Sequence, residues 1–237
     1  MGTKNYLVVG GSTGIGLGIV NRLRSDGNHV TVVSRTMHQL DPAEGVRHIA
    51  MDVTSDDFDS ITLPDVIDGL AYCPGTIRLK PFRRLSSDEL LEDLQVNYLG
   101  AVRTIQACLT RLRKASEGGA VVLFSTVAVQ TGMPFHASIA GAKGAVEGLT
   151  RSLAAEFAPH IRFNAIAPSL TDTPLAGDLL SGEEKRQAAA KRHPMQSIGS
   201  PEEIAATAVH LLSKESRWIT GQILSVDGGM AALRTFR

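Results

Sequence analysis

The run Gly10-Gly11-Ser12-Thr13-Gly14-Ile15-Gly16 is the first stretch whose residue types and spacing suit a definite chemistry. Without side chains at Gly10, Gly14 and Gly16 the backbone can turn tightly, and Ser12, Thr13 and Ile15 then sit in a cradle where a pyrophosphate meets exposed amides. A glycine-rich turn that binds nothing is the bland alternative. It loses ground because the strand-like Tyr6-Leu7-Val8-Val9 precedes the run and an apolar helical pattern, Leu17, Ile19, Val20 and Leu23, follows it. The next such position is Val32-Val33-Ser34-Arg35-Thr36, at the end of a second strand, where a dinucleotide fold reads the adenosine ribose. A carboxylate there would accept from the 2′-hydroxyl and repel a 2′-phosphate. The chain instead has Ser34 and then Arg35, whose planar guanidinium suits a phosphate, so NADP is expected over NAD. A merely solvated Arg35 is the other reading. Asp52-Val53, after a third strand, is a further contact, in reach of the adenine amino group.

These residues need a scaffold, and short β-branched runs alternating with helical periods supply the pattern of parallel βαβ units. Strands are expected at residues 6–9, 29–34, 47–51, 69–72, 120–125, 161–166 and 222–226, and helices at 14–25, 86–115, 137–158 and 201–213. Ser200-Pro201-Glu202-Glu203 is a strong helix opening: a cap, a proline for the first turn and two acids at the positive end of the dipole. No repeat, low-complexity tract or linker divides the chain, so residues 1–237 are expected to form one domain. With 43% hydrophobic and 20% charged residues it can bury a substantial core, which excludes disorder and fibrous architecture. Lys plus Arg (24) balances Asp plus Glu (24), so no global field favours nucleic acid or an anionic membrane. Cys73 and Cys108 give neither a disulfide framework nor a metal site. No signal peptide precedes the first strand, and no run of about eighteen apolar residues occurs, so a soluble cytoplasmic protein is expected.

Over nearly its whole length the chain resembles the short-chain dehydrogenase/reductase (SDR) family. The matching residues are Gly10 to Gly16, Asp52-Val53, Gly75, Asn97 in Gln95-Val96-Asn97-Tyr98, Lys143 in Ala142-Lys143-Gly144, Asn164-Ala165-Ile166-Ala167-Pro168 with Thr173, and Val226-Asp227-Gly228-Gly229. The resemblance implies a Rossmann-type α/β fold: a doubly wound parallel sheet of about seven strands in three layers (αβα). It also implies that Lys143 holds the nicotinamide ribose, that Thr173 holds the carboxamide, that Asn97 holds a water relaying protons, and that Gly75 and Pro168 border the cofactor. A substrate lid at about 174–198 and a homotetramer or homodimer follow from the same likeness.

One departure bears on function. Family members carry Tyr-x-x-x-Lys, with the tyrosine as general acid/base and a serine thirteen positions before it; here Ile139 stands four residues before Lys143, and Thr126 thirteen before that. An isoleucine can neither give nor take a proton, so the ordinary carbonyl-reduction mechanism lacks its acid. His136 lies seven residues before Lys143, nearly the same helical face at about 100° per residue, and the enoyl-acyl-carrier-protein reductase branch spaces its tyrosine similarly. As an imidazole it could serve as acid, or it could be a half-exposed loop residue at the helix entry. Tyr72 could approach a substrate or plug the sheet edge. Water held by Asn97 and Lys143 is a third proton source. Thr126 and Lys143 could stabilise an enolate.

The expected function is therefore an NADP(H)-dependent oxidoreductase acting on a small carbonyl or conjugated enoyl substrate with a non-standard proton donor, and Asn97, Thr126, His136 and Lys143 are its candidate catalytic residues. The alternative is an NADP(H)-binding pseudoenzyme acting as sensor or oligomer partner. Arg78, Lys80, Arg83 and Arg84 form a basic stretch that is either a solvated loop or a contact for an anionic carrier.

Overall fold

The computed structural model describes residues 2–41, 44–55 and 57–234. Its centre is a parallel sheet in the order β3-β2-β1-β4-β5-β6-β7. The strands are β1 (Asn5–Val9), β2 (His29–Ser34), β3 (Val46–Ala50), β4 (Gly69–Tyr72), β5 (Gly119–Phe124), β6 (Ile161–Pro168) and β7 (Ile223–Val226). The longer helices are α1 (Gly14–Ser25), α2 (Ser87–Leu94), α3 (Gly100–Leu112), α5 (Ala137–Phe157), α6 (Glu183–Lys191) and α7 (Pro201–Leu212), with a one-turn α4 at Ala128–Thr131.

Because each βαβ crossover lays a helix on the sheet, the central strands bury both faces and read as unbroken apolar runs. Leu7, Val9, Leu70, Val121, Leu123 and Phe163 pack with Ile105, Leu112 and Val146 of α3 and α5. Val8, Val32, Ala71, Val122 and Ile166 face Ile19, Leu23, Ile204 and Leu211 of α1 and α7. The opening of α7 forms as its sequence indicates: the Ser200 side chain accepts from Glu203 N–H and the Glu203 carboxylate from the Ser200 amide, with Pro201 in the first turn.

The order reverses between β1 and β4, and a crevice outside the carboxyl ends of those strands is where an α/β sheet of this kind takes a ligand. The expected element ends mostly hold or move by one residue; β3 and β5 each start and stop one residue earlier, and β6 runs two residues further, to Pro168. The larger correction concerns the helix expected over 86–115. It begins at Ser87, behind the cap Ser86, and is interrupted at Gln95–Leu99 by a widened π-turn before α3 resumes. Side chains take up carbonyls that this turn leaves: Tyr72 Oη donates to Val96 O at 2.6 Å and Asn97 Nδ2 to Asp93 O at 2.8 Å. The apolar period of the segment does not betray a single inserted residue.

Candidate active site

The glycine run sits between β1 and α1. Gly14 has φ +54°, in the left-handed region, and a Cβ on Gly16 would stand 2.2 Å from the Gly10 carbonyl oxygen, so no other residue fits there. The first turn of α1 has no side-chain cap from Thr13 and no acidic residue, which leaves its amides and positive dipole end for an anion. A cleft of about 580 Å³ opens on this turn. Gly10, Ser12, Thr13, Gly14, Ile15 and Gly16 line one side; Ser34, Arg35, Asp52 and Val53 line the end beyond β2 and β3. Gly75 and Thr173 line the far side, and Thr173 reaches back until its Cγ2 is 3.2 Å from where a Gly14 Cβ would lie.

At the end beyond β2 and β3 Arg35 is exposed, and Ser34 Oγ donates to Thr36 O at 2.8 Å. That spends the single hydroxyl hydrogen, so His48 Nε2, 2.9 Å away, is the donor of their shared bond. Asp52 Oδ1 accepts from the Thr54 hydroxyl (2.6 Å) and the Thr54 amide (2.9 Å), and these two bonds hold its carboxyl below the usual carboxylate range.

At the other end Lys143 of α5 is buried, and loss of hydration lowers its ammonium to about pH 8 against the partial support of Cys73 and Asp93. Burial pushes the Cys73 thiol up to about 12. Asn97 is buried in the π-turn, where its Nδ2 donates to Thr76 Oγ1 (2.9 Å) as well as to Asp93 O, while its Oδ1 is buried without a partner. Asn97 Oδ1 and Lys143 Nζ converge on one spot, 3.2 and 3.5 Å from the point a Gly75 Cβ would occupy. The glycine is thus what lets two polar groups from separate helices meet at the cleft wall.

Thr126 follows β5 by one residue past Ser125; its Oγ1 accepts from Ala128 N–H at 3.3 Å, so its hydrogen stays available for donation. Pro168 ends β6, its carbonyl taken by Val127 N–H at 3.2 Å. Ile139 is buried, 5% exposed. His136 is the N-cap of α5 rather than a residue of its first turn, with φ −95° and ψ 9°, so helical spacing to Lys143 does not set its direction. Its Nδ1 lies 2.8 Å from the Pro134 carbonyl, which can only accept, so the neutral ring carries its hydrogen there and Nε2 can take a proton but not give one. Tyr72 is buried, its hydroxyl is committed to Val96 O, and burial raises its pKa well above that of a free phenol.

Two features lay outside the sequence analysis. The first is a buried Ser125–Glu147 pair, Oγ to Oε1 at 2.7 Å, beneath Thr126. The second is Asp93, completely buried, whose Oδ1 accepts from Thr76 Oγ1 at 2.6 Å and whose Oδ2 accepts from Ser138 Oγ. An acid one helical turn before Asn97 on the inward stripe of α2 was the available signal for it.

Residues 9–231 match the family model described as enoyl-(acyl carrier protein) reductase, and the chain belongs to that family, the short-chain dehydrogenases/reductases. It is 34% identical to the short-chain reductase protein NovJ of Streptomyces niveus, over 94% of this chain and 92% of that one. It is 31% identical to L-xylulose reductase of Bos taurus, over 97% of each. Among solved structures it is similar to ElxO with NADP bound, with a TM-score of 0.87 at 26% identity over 98% of this chain and all of that one. This is a family of oxidoreductases that work with a nicotinamide cofactor, and the residues present fit such a group: the uncapped amides of α1 suit its phosphates, and the buried Asn97 Oδ1 has no hydrogen-bond partner in the chain. No helix among the described residues is long and apolar enough to cross a membrane.

Proposed function

We propose that the protein is an NADP(H)-dependent oxidoreductase that reduces a small carbonyl or a conjugated enoyl substrate, with its proton delivered by something other than a tyrosine. The observation that carries this reading is the meeting of Lys143 Nζ and Asn97 Oδ1 behind Gly75, a residue that lines the same cleft as the glycine cradle. Two polar groups held together in a buried corner cost folding energy that a merely structural sheet has no reason to spend.

On this reading Gly10 to Gly16 hold the pyrophosphate, Arg35, beside Ser34, the adenosine phosphate, Asp52 and Val53 the adenine, and Lys143, Pro168 and Thr173 the nicotinamide half. The bound cofactor would supply the hydride. Lys143, charged below about pH 8, holds the ribose hydroxyls and stabilises negative charge that develops on the substrate. Thr126 donates its free hydrogen to the substrate oxygen. Asn97 Oδ1 accepts from a water, which hands on the proton that Ile139 cannot. Conjugated alkenes tolerate the lost phenol best, since an enolate needs stabilising before it needs a proton; loss of a positioned acid costs about 10² to 10⁴ in rate where oxygen is protonated with hydride arrival. ElxO is solved as a Tyr-to-Phe variant with NADPH bound, and we take it as support that cofactor binding in this fold does not depend on a full set of tyrosine hydroxyls. His136 enters this scheme only as a base through Nε2, or as an acid once protonated.

The residues at 174–198, a 3-10 segment Pro174–Leu180 followed by α6, form a substrate cover with Leu175 and Met195 exposed. The whole of 1–237 acts as one domain in a homodimer or homotetramer in the cytoplasm. The outer faces of α2 and α5 favour such assembly. Leu91 and Leu99 are exposed beside a groove of about 630 Å³, and a Cβ at Gly141 or Gly148 would meet nothing within 4 Å, so these faces lack a neighbour within the chain.

The test is a fluorescence titration with NADPH and NADH beside NADPH oxidation against panels of enals, enones, quinones and ketones. Tighter NADPH than NADH binding with turnover of at least one class is expected. Binding with no turnover in any panel replaces this reading by the pseudoenzyme, for which the buried Ile139 is the supporting observation; no binding of either coenzyme removes both.

A further inference from the structure

Asp93 is a fully buried acid behind the wall of the cleft. Three side chains from two segments converge on it. Thr76, after β4, donates to Oδ1; Ser138, in the first turn of α5, donates to Oδ2; Arg78 Nε stands 3.6 Å from Oδ2. The hydroxyls satisfy lone pairs but neutralise no charge. A carboxylate out of water needs cations: Arg78, itself shared with Glu89 and Glu92, stands nearest, and the Lys143 ammonium at Gly75, on the far side of Asn97, adds its field from beyond ion-pair distance. The same cluster governs Asn97, whose Nδ2 is held by Thr76 Oγ1 and by the Asp93 carbonyl, which leaves Oδ1 directed at Gly75.

Lys143 has few other anions to lean on. Cys73 and Asp93 are the ionisable groups that act on it; Glu147, one turn further along α5, is engaged by Ser125 and Arg151; and at residue 139 an isoleucine offers nothing. We propose that Asp93 is the positioning residue of this site: ionised, it is the counter-ion that keeps the buried Lys143 ammonium charged, and through Thr76 it holds Asn97 with its free oxygen toward Gly75. The proposal rests on the reading of Lys143 as the ammonium at the reacting end. No bond is made or broken and no proton changes hands; Asp93 acts by its field and by two hydroxyls.

The experiment is a pH titration of lysine Cε resonances in the whole protein labelled at lysine, without cofactor, with Lys143 assigned by its loss in Lys143→Arg. The wild type is expected to titrate near 8. Asp93→Asn is expected to lower the midpoint by about one unit, a tenfold smaller ammonium-to-amine ratio at any given pH, and Asp93→Glu to restore at least half of that shift. Thr76→Val, which leaves the charge in place, is expected to leave the midpoint within about 0.3 unit. Coupling between two sites is reciprocal, so should Asp93→Asn fail to fold, Lys143→Met must raise the titration of Asp93, read from its own labelled carboxyl resonance. A Lys143 midpoint unmoved or raised in Asp93→Asn, or an Asp93 titration indifferent to Lys143→Met, overturns the proposal. The parallel NADPH titration of the wild type separates the failures: a chain that binds no coenzyme but shows the coupling loses the functional reading and keeps the electrostatic link between Asp93 and Lys143.

Discussion

The two ends of the cleft are built on different principles. At the glycine end, read here as the phosphate end, the groups that matter are backbone amides in close quarters, drawn from one unbroken stretch, Gly10 to Gly16. At the other, read as the reacting end, they are side chains, Thr76, Asp93, Asn97, Ser138 and Lys143, brought from the loop after β4, α2, the π-turn and α5. Backbone geometry tolerates almost no substitution but asks little of the rest of the molecule. A side-chain cluster can trade members, as long as charge and hydrogen bonds still close. That difference explains how the chain can keep its cradle unchanged while carrying an isoleucine at 139.

If the comparison holds, damage at the phosphate end is the more severe. Gly16→Ala drives a methyl into the Gly10 carbonyl at 2.2 Å; we expect NADPH affinity to fall by more than about 100-fold and stability by about 2–4 kcal/mol, read by fluorescence titration and thermal melting. Retained binding would break the contrast at once. Arg35→Ala removes a charge-assisted phosphate contact, and NADPH should weaken about 10- to 100-fold while NADH stays within about twofold.

At the reacting end Lys143→Met should weaken NADPH by only about tenfold and yet stabilise the apo protein by about 1–3 kcal/mol near pH 7, because a buried ammonium is removed. The pH dependence has a definite sign. Lys143 titrates at about 8 when folded and at 10.5 when free, so between those values the unfolded chain holds the extra proton. Stability from this group therefore rises as pH climbs from 8 to 10.5, and the gain from Lys143→Met is full below 8 and gone by about 10.5. NADPH affinity should decline over the first part of the same window as the ammonium discharges. Tyr72→Phe is the smallest change: it deletes the bond to Val96 O, costs about 1 kcal/mol, and leaves turnover within about twofold, whereas a proton-donating Tyr72 would lose far more.

The glycine run and its place at the cleft were legible in sequence, for a physical reason. Glycines that permit close approach are adjacent in the chain, and the strand before and helix after them announce themselves by apolar period. The sheet was equally legible, because buried parallel strands are continuous hydrophobic runs such as Leu7-Val8-Val9 and Val121-Val122-Leu123. The reacting end was legible residue by residue but not as an assembly. Asn97 and Lys143 stood out, but the acid that joins them did not, since Asp93 meets Thr76 and Ser138 only after three elements pack. The π-turn leaves no mark in the period of a thirty-residue helical pattern, and helical spacing does not set the direction of His136, because it caps α5 and its Nδ1 is bonded to the Pro134 carbonyl. Local pattern reports what neighbours in sequence do; it is silent where chemistry is made by neighbours in space.

The widened turn has a consequence for how this chain can change. A Cβ on Gly100 would stand 2.1 Å from the Tyr72 hydroxyl, so residue 100 must stay bare for as long as the ring occupies that niche. Neither position can drift alone: a larger residue at 100 evicts the aromatic, and a lost aromatic leaves a hollow and a stranded carbonyl. A library randomised at both sites should return only matched pairs, bulk at one answered by its absence at the other.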